Sequence, residues 1–135
     1  MKVKTVRSEN NREFYLNILE FMNAMQMESK KRLMPHEIKI LVEFMLLPDP
    51  DFSGYLRFRR RAKELVVENY NKIYESKVKL QYIYNAMLSL REKSVIVKET
   101  DGVYRLSPFI EENILNKKDY SIGMRFEIGK IEDGE

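Results

Sequence analysis

The chain has 135 residues, 33% of them charged, with a net charge of +3, no cysteine and a single histidine. That length suits one domain with a real hydrophobic core, and the absence of cysteine excludes a disulfide framework and a thiolate metal site. No apolar run approaches the roughly 18 residues of a membrane span, and the start MKVKTVRSENN lacks the apolar segment of a signal peptide, so a soluble, cytoplasmic protein with no membrane partner is expected.

The charge is unevenly spread. Residues 1–52 carry 8 basic and 8 acidic side chains, residues 53–98 carry 11 and 4, and residues 99–135 carry 5 and 9. The positive excess therefore lies in the middle of the chain, as on a face that meets a polyanion; chance clustering of solvated Lys and Arg is the plain alternative.

A first helix is predicted from Ser8, as N-cap, to about Met27, with Phe14, Ile18, Phe21, Met22 and Met25 on its apolar stripe and Tyr15, Leu16 and Leu19 widening it. A stripe that broad packs either on the core or on a second copy of itself. The polar run 28–32 interrupts the pattern. A second helix starts at Pro35, a favoured first-turn residue, and carries Ile38, Leu41, Val42, Met45 and Leu46 on one face until Pro48 and Pro50 stop it. His36 has no partner at ligand spacing and reads as a surface side chain.

The third predicted helix spans 56–74, with Phe58, Ala62, Leu65, Val66 and Ile73 on one face. Arg57, Arg59, Arg60 and Arg61 crowd its first turns, where positive charge opposes the helix dipole. Phosphate contact explains them; an exposed face with Arg60 paired to Glu64 and Glu68 to Lys72 explains only Arg60.

A fourth helix, predicted over 77–92, turns Leu80, Ile83, Met87 and Leu90 to the core. Gln81, Asn85, Leu88 and Glu92 then face outward, with Tyr84 on one flank and Tyr82 and Ser89 on the other. Gln and Asn are the side chains that can pair with both the N6 donor and the N7 acceptor of adenine. Leu88 and Glu92 fit that use less well, since an exposed Leu suits protein contact and a carboxylate repels phosphate. A hairpin over 95–106 follows, its turn made by Asp101 and Gly102. A two-residue loop there pairs Lys98 with Arg105 and Val97 with Leu106, with Tyr104 on the core face. Ser107-Pro108 then begins a short helix to about Asn116. Ile122, Met124, Phe126 and Ile128 alternate as in a half-buried strand, before an acidic tail.

The strings PHEIKILVEFML, RRRAKELVVENY, LQYIYNAMLSLREKSVI and DGVYRLSPFI make region 35–110 resemble winged helix-turn-helix DNA-binding proteins. Closest in pattern are MarR-like regulators and the winged-helix domains of plasmid and phage replication initiators. Ile83, Met87, Leu90 and Ile96 keep the spacing of the helix that leads into the wing in such families, and Tyr104, Leu106 and Pro108 keep the return strand. Ser94 stands where they usually carry Gly, and Met34 where a Ser or Thr usually caps the second helix.

Together with the length and the periodicity of the flanking segments, the resemblance implies a mostly helical α+β fold in one domain, 1–135. A first helix in 8–34 is available for dimerisation, the winged-helix core spans 35–110, and a C-terminal strand with the acidic tail spans 117–135. It also implies a double-stranded DNA partner, as a dimeric regulator of transcription or a replication-initiation factor would need, met by the 77–92 helix in the major groove. On that reading Gln81, Tyr82, Tyr84 and Asn85 meet base edges, while Arg57, Arg59, Arg60, Arg61, Lys77, Lys79, Lys98 and Arg105 hold phosphates. A homodimer through the first helix or the last strand would present two such helices. The alternative is a winged helix used for protein contact, an adaptor or a structural component of a phage-like assembly, through Tyr82, Tyr84 and Leu88. No constellation of catalytic residues, no cofactor motif and no metal-ligand spacing is present, so neither an enzyme nor a cofactor is expected.

Overall fold

The computed structural model describes residues 5–121 and Gly129. Among these residues, five α-helices and one two-stranded sheet follow in the order α1 (Asn11–Ala24), α2 (Pro35–Met45), α3 (Arg60–Tyr74), α4 (Leu80–Glu92), β1 (Ile96–Thr100), β2 (Val103–Leu106) and α5 (Pro108–Asn113). Two 3₁₀ turns, Ser29–Lys31 and Gly54–Phe58, lie between the early helices. The fold is thus mostly helical α+β. The expected strand over 122–128 lies outside the described residues.

Helix α2 is the hub, because its apolar residues run all the way round it. Ile38, Ile40, Leu41, Val42, Phe44 and Met45 are all buried, and α1, α3 and α4 pack on it from different sides. A helix this enclosed must also satisfy whatever charge it carries. Glu43 is buried and accepts two hydrogen bonds from Arg12 of α1, Nε at 2.8 Å and Nη2 at 2.9 Å. Glu37, also buried, accepts from the Met34 N–H at the start of α2 (2.6 Å) and pairs with Lys93 just past the end of α4 (2.5 Å). Two ion pairs therefore pin α2 to its neighbours.

Helix α1 begins two residues later than the sequence suggests. Asn10 is its cap, accepting from the Glu13 N–H at 2.8 Å, while Ser8 accepts from Asn17 instead. Tyr15 and Leu19 form its buried edge, whereas Phe21 and Met25 remain exposed.

The C-terminus of α2 is closed by an arginine. The 3₁₀ turn Gly54–Phe58 breaks the expected helix over 56–74, so α3 begins only at Arg60 and Arg57 points inward. Arg57 is 2% exposed. Its Nη1 donates to the carbonyls of Phe44 (3.1 Å) and Leu47 (3.2 Å), and its Nη2 to Asp49 Oδ1 (2.9 Å). The last carbonyls of a helix have no partner of their own, and a guanidinium there meets both the orphan acceptors and the negative end of the dipole. Asp49 also accepts from Asn116 Nδ2 (2.8 Å), and the Asn116 N–H donates to the Tyr15 hydroxyl (3.0 Å), so one network ties α1, α2 and the segment after α5.

The α3–α4 connection, residues 75–79, is held by one side chain. Asn71 Nδ2 donates to the Val78 carbonyl (3.0 Å) and Asn71 Oδ1 accepts from the Val78 N–H (2.9 Å). Glu75, at φ 50°, makes the turn. At the far end of α4 the chain reverses through Ser94, at φ 65°, where the Val95 N–H donates to the Leu90 carbonyl (2.9 Å).

The hairpin has the expected turn and a different register. Thr100 pairs with Val103 across Asp101-Gly102, but the register shifts between Lys98 and Thr100. Beyond the shift Lys98 faces Tyr104, Val97 faces Arg105 and Ile96 faces Leu106, so the expected pairs Lys98–Arg105 and Val97–Leu106 do not form. The buried Ile96–Leu106 pair fixes the hairpin on the core, and β2 rests against the Gly54–Phe58 turn.

Candidate nucleic-acid interface

Helix α4 buries Ile83, Ala86, Met87 and Leu90 and turns Gln81, Tyr84, Asn85, Leu88 and Glu92 to solvent. Gln81 Nε2 donates to Asn85 Oδ1 at 2.9 Å, so the two amides act as a pair on the helix surface. Leu88 is 52% exposed one turn further on. It borders two hollows. One, about 340 Å³, is shared with Lys63, Gln81, Tyr84, Met87, Arg91 and Tyr104. The other, about 430 Å³, runs along the end of α4 and β1 past Glu92 and Lys98.

Cations sit on the aromatic rings around this face. Lys63 Nζ lies 4.2 Å from the Tyr84 ring centroid and the Arg91 guanidinium 4.4 Å from that of Tyr104. Arg59 lies 5.0 Å over Tyr55 at the entry to α3. Arg61, Lys77 and Lys79 are exposed, and among the described residues none has a carboxylate within 4.0 Å. Arg59 and Lys79 occupy the N-cap positions of α3 and α4, neither caps through its side chain, and neither helix has an acid in its first turn. By contrast Asn10 caps α1, Glu37 serves the start of α2 and Ser107 caps α5. The starts of α3 and α4 thus each combine uncapped N–H groups with lysine or arginine.

The remaining expected contacts fare differently. Arg57 is corrected outright, since its guanidinium is consumed by the end of α2 and cannot reach a phosphate. Tyr82, expected on a flank of that face, is half-buried and packs against His36 (ring centroids 5.5 Å apart) and Tyr70 (6.2 Å), and His36 is half-buried rather than a plain surface residue. Burial, with the Tyr82 hydroxyl adding to it, pushes the Tyr70 phenol up to about 12.

Arg60 pairs with Glu64 at 3.8 Å, one of the two pairs of the salt-bridged alternative, whereas Glu68 and Lys72 do not come within 4.0 Å of each other. Arg105 donates to Glu99 (3.3 Å) and Glu111 (2.9 Å), and Lys98 lies 3.0 Å from Asp101. Lys98, Glu99, Asp101 and Arg105 sum to zero charge, so the hairpin itself adds no positive potential.

Sequence reasoning missed Lys63, Arg91 and the exposed side of Tyr104. Arg91 was within reach of it, because Tyr84, Leu88 and Arg91 follow the i, i+4, i+7 spacing of one helical flank. Lys63 was not, because only packing brings α3 alongside Tyr84. Among the described residues no group of acidic and histidine side chains is arranged to hold a metal ion, and no helix is long and apolar enough to cross a membrane. Comparison with protein-family models, curated proteins and solved structures finds no match to this chain.

Proposed function

We propose that the chain is a winged-helix protein that binds double-stranded DNA, laying α4 in the major groove with the β1–β2 hairpin as its wing. The observation that carries this reading is the exposed Gln81–Asn85 pair on α4, bordered by unpaired cations at the starts of α3 and α4. Amides on a groove-sized helix suit base edges, and the flanking lysines and arginines suit phosphates on either side. The element order supports the architecture. A helix, a short turn against the hairpin, two helices and the hairpin follow one another, and the α3–α4 connection acts as the helix-turn-helix turn. Transcriptional control or replication initiation in the cytoplasm is the corresponding role. The exposed Phe21 and Met25 on α1 offer a surface for a second copy, which would set two α4 helices on a two-fold site.

Fluorescence anisotropy with random-sequence duplex DNA at several salt concentrations tests the proposal. Affinity should fall steeply with salt, with a log–log slope of about 0.9 per phosphate contacted. Absence of binding at low salt would overturn it.

A second reading rests on Leu88, which stands exposed beside Tyr84 between two hollows. There the same face docks a protein partner, as in an adaptor or a phage-like structural component. Tyr84→Ala and Leu88→Ala would then abolish capture of that partner, while Gln81→Ala with Asn85→Ala would leave it intact.

A further inference from the structure

We infer that the α4 face reads an A·T-containing site, with the Gln81–Asn85 pair selecting adenine and Leu88 packing on the methyl group of a nearby thymine. This rests on the DNA reading proposed above and specifies its ligand.

The argument starts from the hydrogen bond between the two amides. Whichever amide gives the hydrogen, the donating amide keeps its carbonyl oxygen and one free N–H, while the accepting amide keeps two free N–H groups. Adenine offers a complementary edge in the major groove, the N6 donor beside the N7 acceptor. Guanine offers two acceptors, O6 and N7, so the donating amide's carbonyl oxygen would face O6 and be repelled, and that amide is the one that prefers adenine. The bond also fixes both side chains before any ligand arrives, which lowers the entropy lost on binding. Neither residue is needed elsewhere, because both are exposed and their amides bond only to each other among the described residues.

Leu88 supplies the second half. It lies three residues beyond Asn85 on the same face, about 4.5 Å along the helix axis, close to one base-pair step. A leucine there has no hydrogen-bonding use, but an apolar contact with the thymine C5-methyl is one of the standard major-groove readings. The hollow beside it is lined by Met87, Tyr84 and Tyr104 as well as by Gln81, Lys63 and Arg91, so apolar surface for a methyl group lies next to Leu88. Glu92, one further turn along, repels phosphate. The stretch from Lys79 to Leu88 is left as the part that enters the groove.

The test uses the full chain and chemically defined duplexes. A selection from random duplex DNA should enrich sites with adenine and a thymine one or two steps away. Replacing the key A·T pair by G·C should weaken binding about tenfold, and 7-deazaadenine, which lacks the N7 acceptor, should weaken it as well. Replacing the thymine by uracil, which removes only the methyl group, should weaken it about threefold, and Leu88→Ala should erase the difference between thymine and uracil duplexes. Salt-dependent binding that is indifferent to base composition, or that enriches G·C, would overturn the inference while leaving DNA binding standing. Failure to bind any duplex would overturn both, and would point instead to the protein-docking reading.

Discussion

Ser94 is a serine doing a glycine's task. It holds φ 65° between α4 and β1, and the Val95 N–H reaches back to the Leu90 carbonyl in the pattern that ends many helices. An L-residue in that region is strained by its Cβ, and glycine is not. Ser94→Gly should therefore raise stability by about 1 kcal/mol, read as a higher urea midpoint with an unchanged slope. An unchanged or lower midpoint would mean that the flexibility glycine adds to the unfolded chain outweighs the strain it removes. The resemblance marked this position in advance, because a glycine is usual there. Arg57 gave no such warning. In composition it is one of four arginines in a five-residue run, and periodicity alone continues the helix back through it. Only the 3₁₀ turn separates it from Arg59, Arg60 and Arg61 and aims it at the carbonyls of α2. The difference between a core cap and a phosphate contact was tertiary, and no local pattern carries it.

At the scale of elements, the helices were legible because their apolar residues recur with the helical period, and the hairpin because Asp-Gly makes a tight turn. The register was not. The Thr100–Val103 pair is the one a two-residue loop requires, but the irregularity at Glu99 moves every later pair by one residue and puts Val97 rather than Lys98 opposite Arg105. Alternation in so short a strand does not announce a bulge. The Glu37–Lys93 tie between α2 and α4 was also invisible, because it joins residues far apart in the chain. Burial pushes the Glu37 carboxyl up, but hydrogen bonds from Lys93, the Met34 N–H and Ser89 outweigh burial and hold it below its ordinary 4.5. Since the folded value lies below the unfolded one, this contribution is complete above about pH 4.5 and is lost as the pH falls through the folded value. Urea midpoints measured between pH 7 and pH 3 should fall more steeply for the wild type than for Glu37→Gln. Lys93→Met, which leaves a buried carboxylate without its partner, should cost about 3 kcal/mol at pH 7 and less in acid. Equal acid sensitivity in the wild type and Glu37→Gln would remove the tie from the list of stabilising contacts.

Across the whole molecule, the charge asymmetry was legible from the sequence, but its distribution over the surface was not. The basic segment 53–98 includes Arg57 and Lys93, both paired inside the fold, and Arg60, paired with Glu64. Of the cations in this segment with no carboxylate within 4.0 Å among the described residues, Arg59, Arg61, Lys63, Lys77 and Lys79 lie at or near the starts of α3 and α4, Lys72 and Arg91 lie in their last turns, and the hairpin is electrically balanced. If the DNA reading holds, the salt dependence must originate at those helix starts rather than in the wing. Arg61→Ala with Lys79→Ala should then lower the slope of log affinity against log salt by about 1.8, two contacts at about 0.9 each. It should do so equally on every sequence, because phosphates carry no sequence information. Lys98→Ala should lower the slope by much less, since Asp101 already neutralises that lysine. Both variants change exposed side chains, so their thermal unfolding should match the wild type and separate a lost contact from a lost fold. A slope that drops as far with Lys98→Ala as with the helix-start pair would place the hairpin on the phosphates after all, with Asp101 displaced when DNA binds.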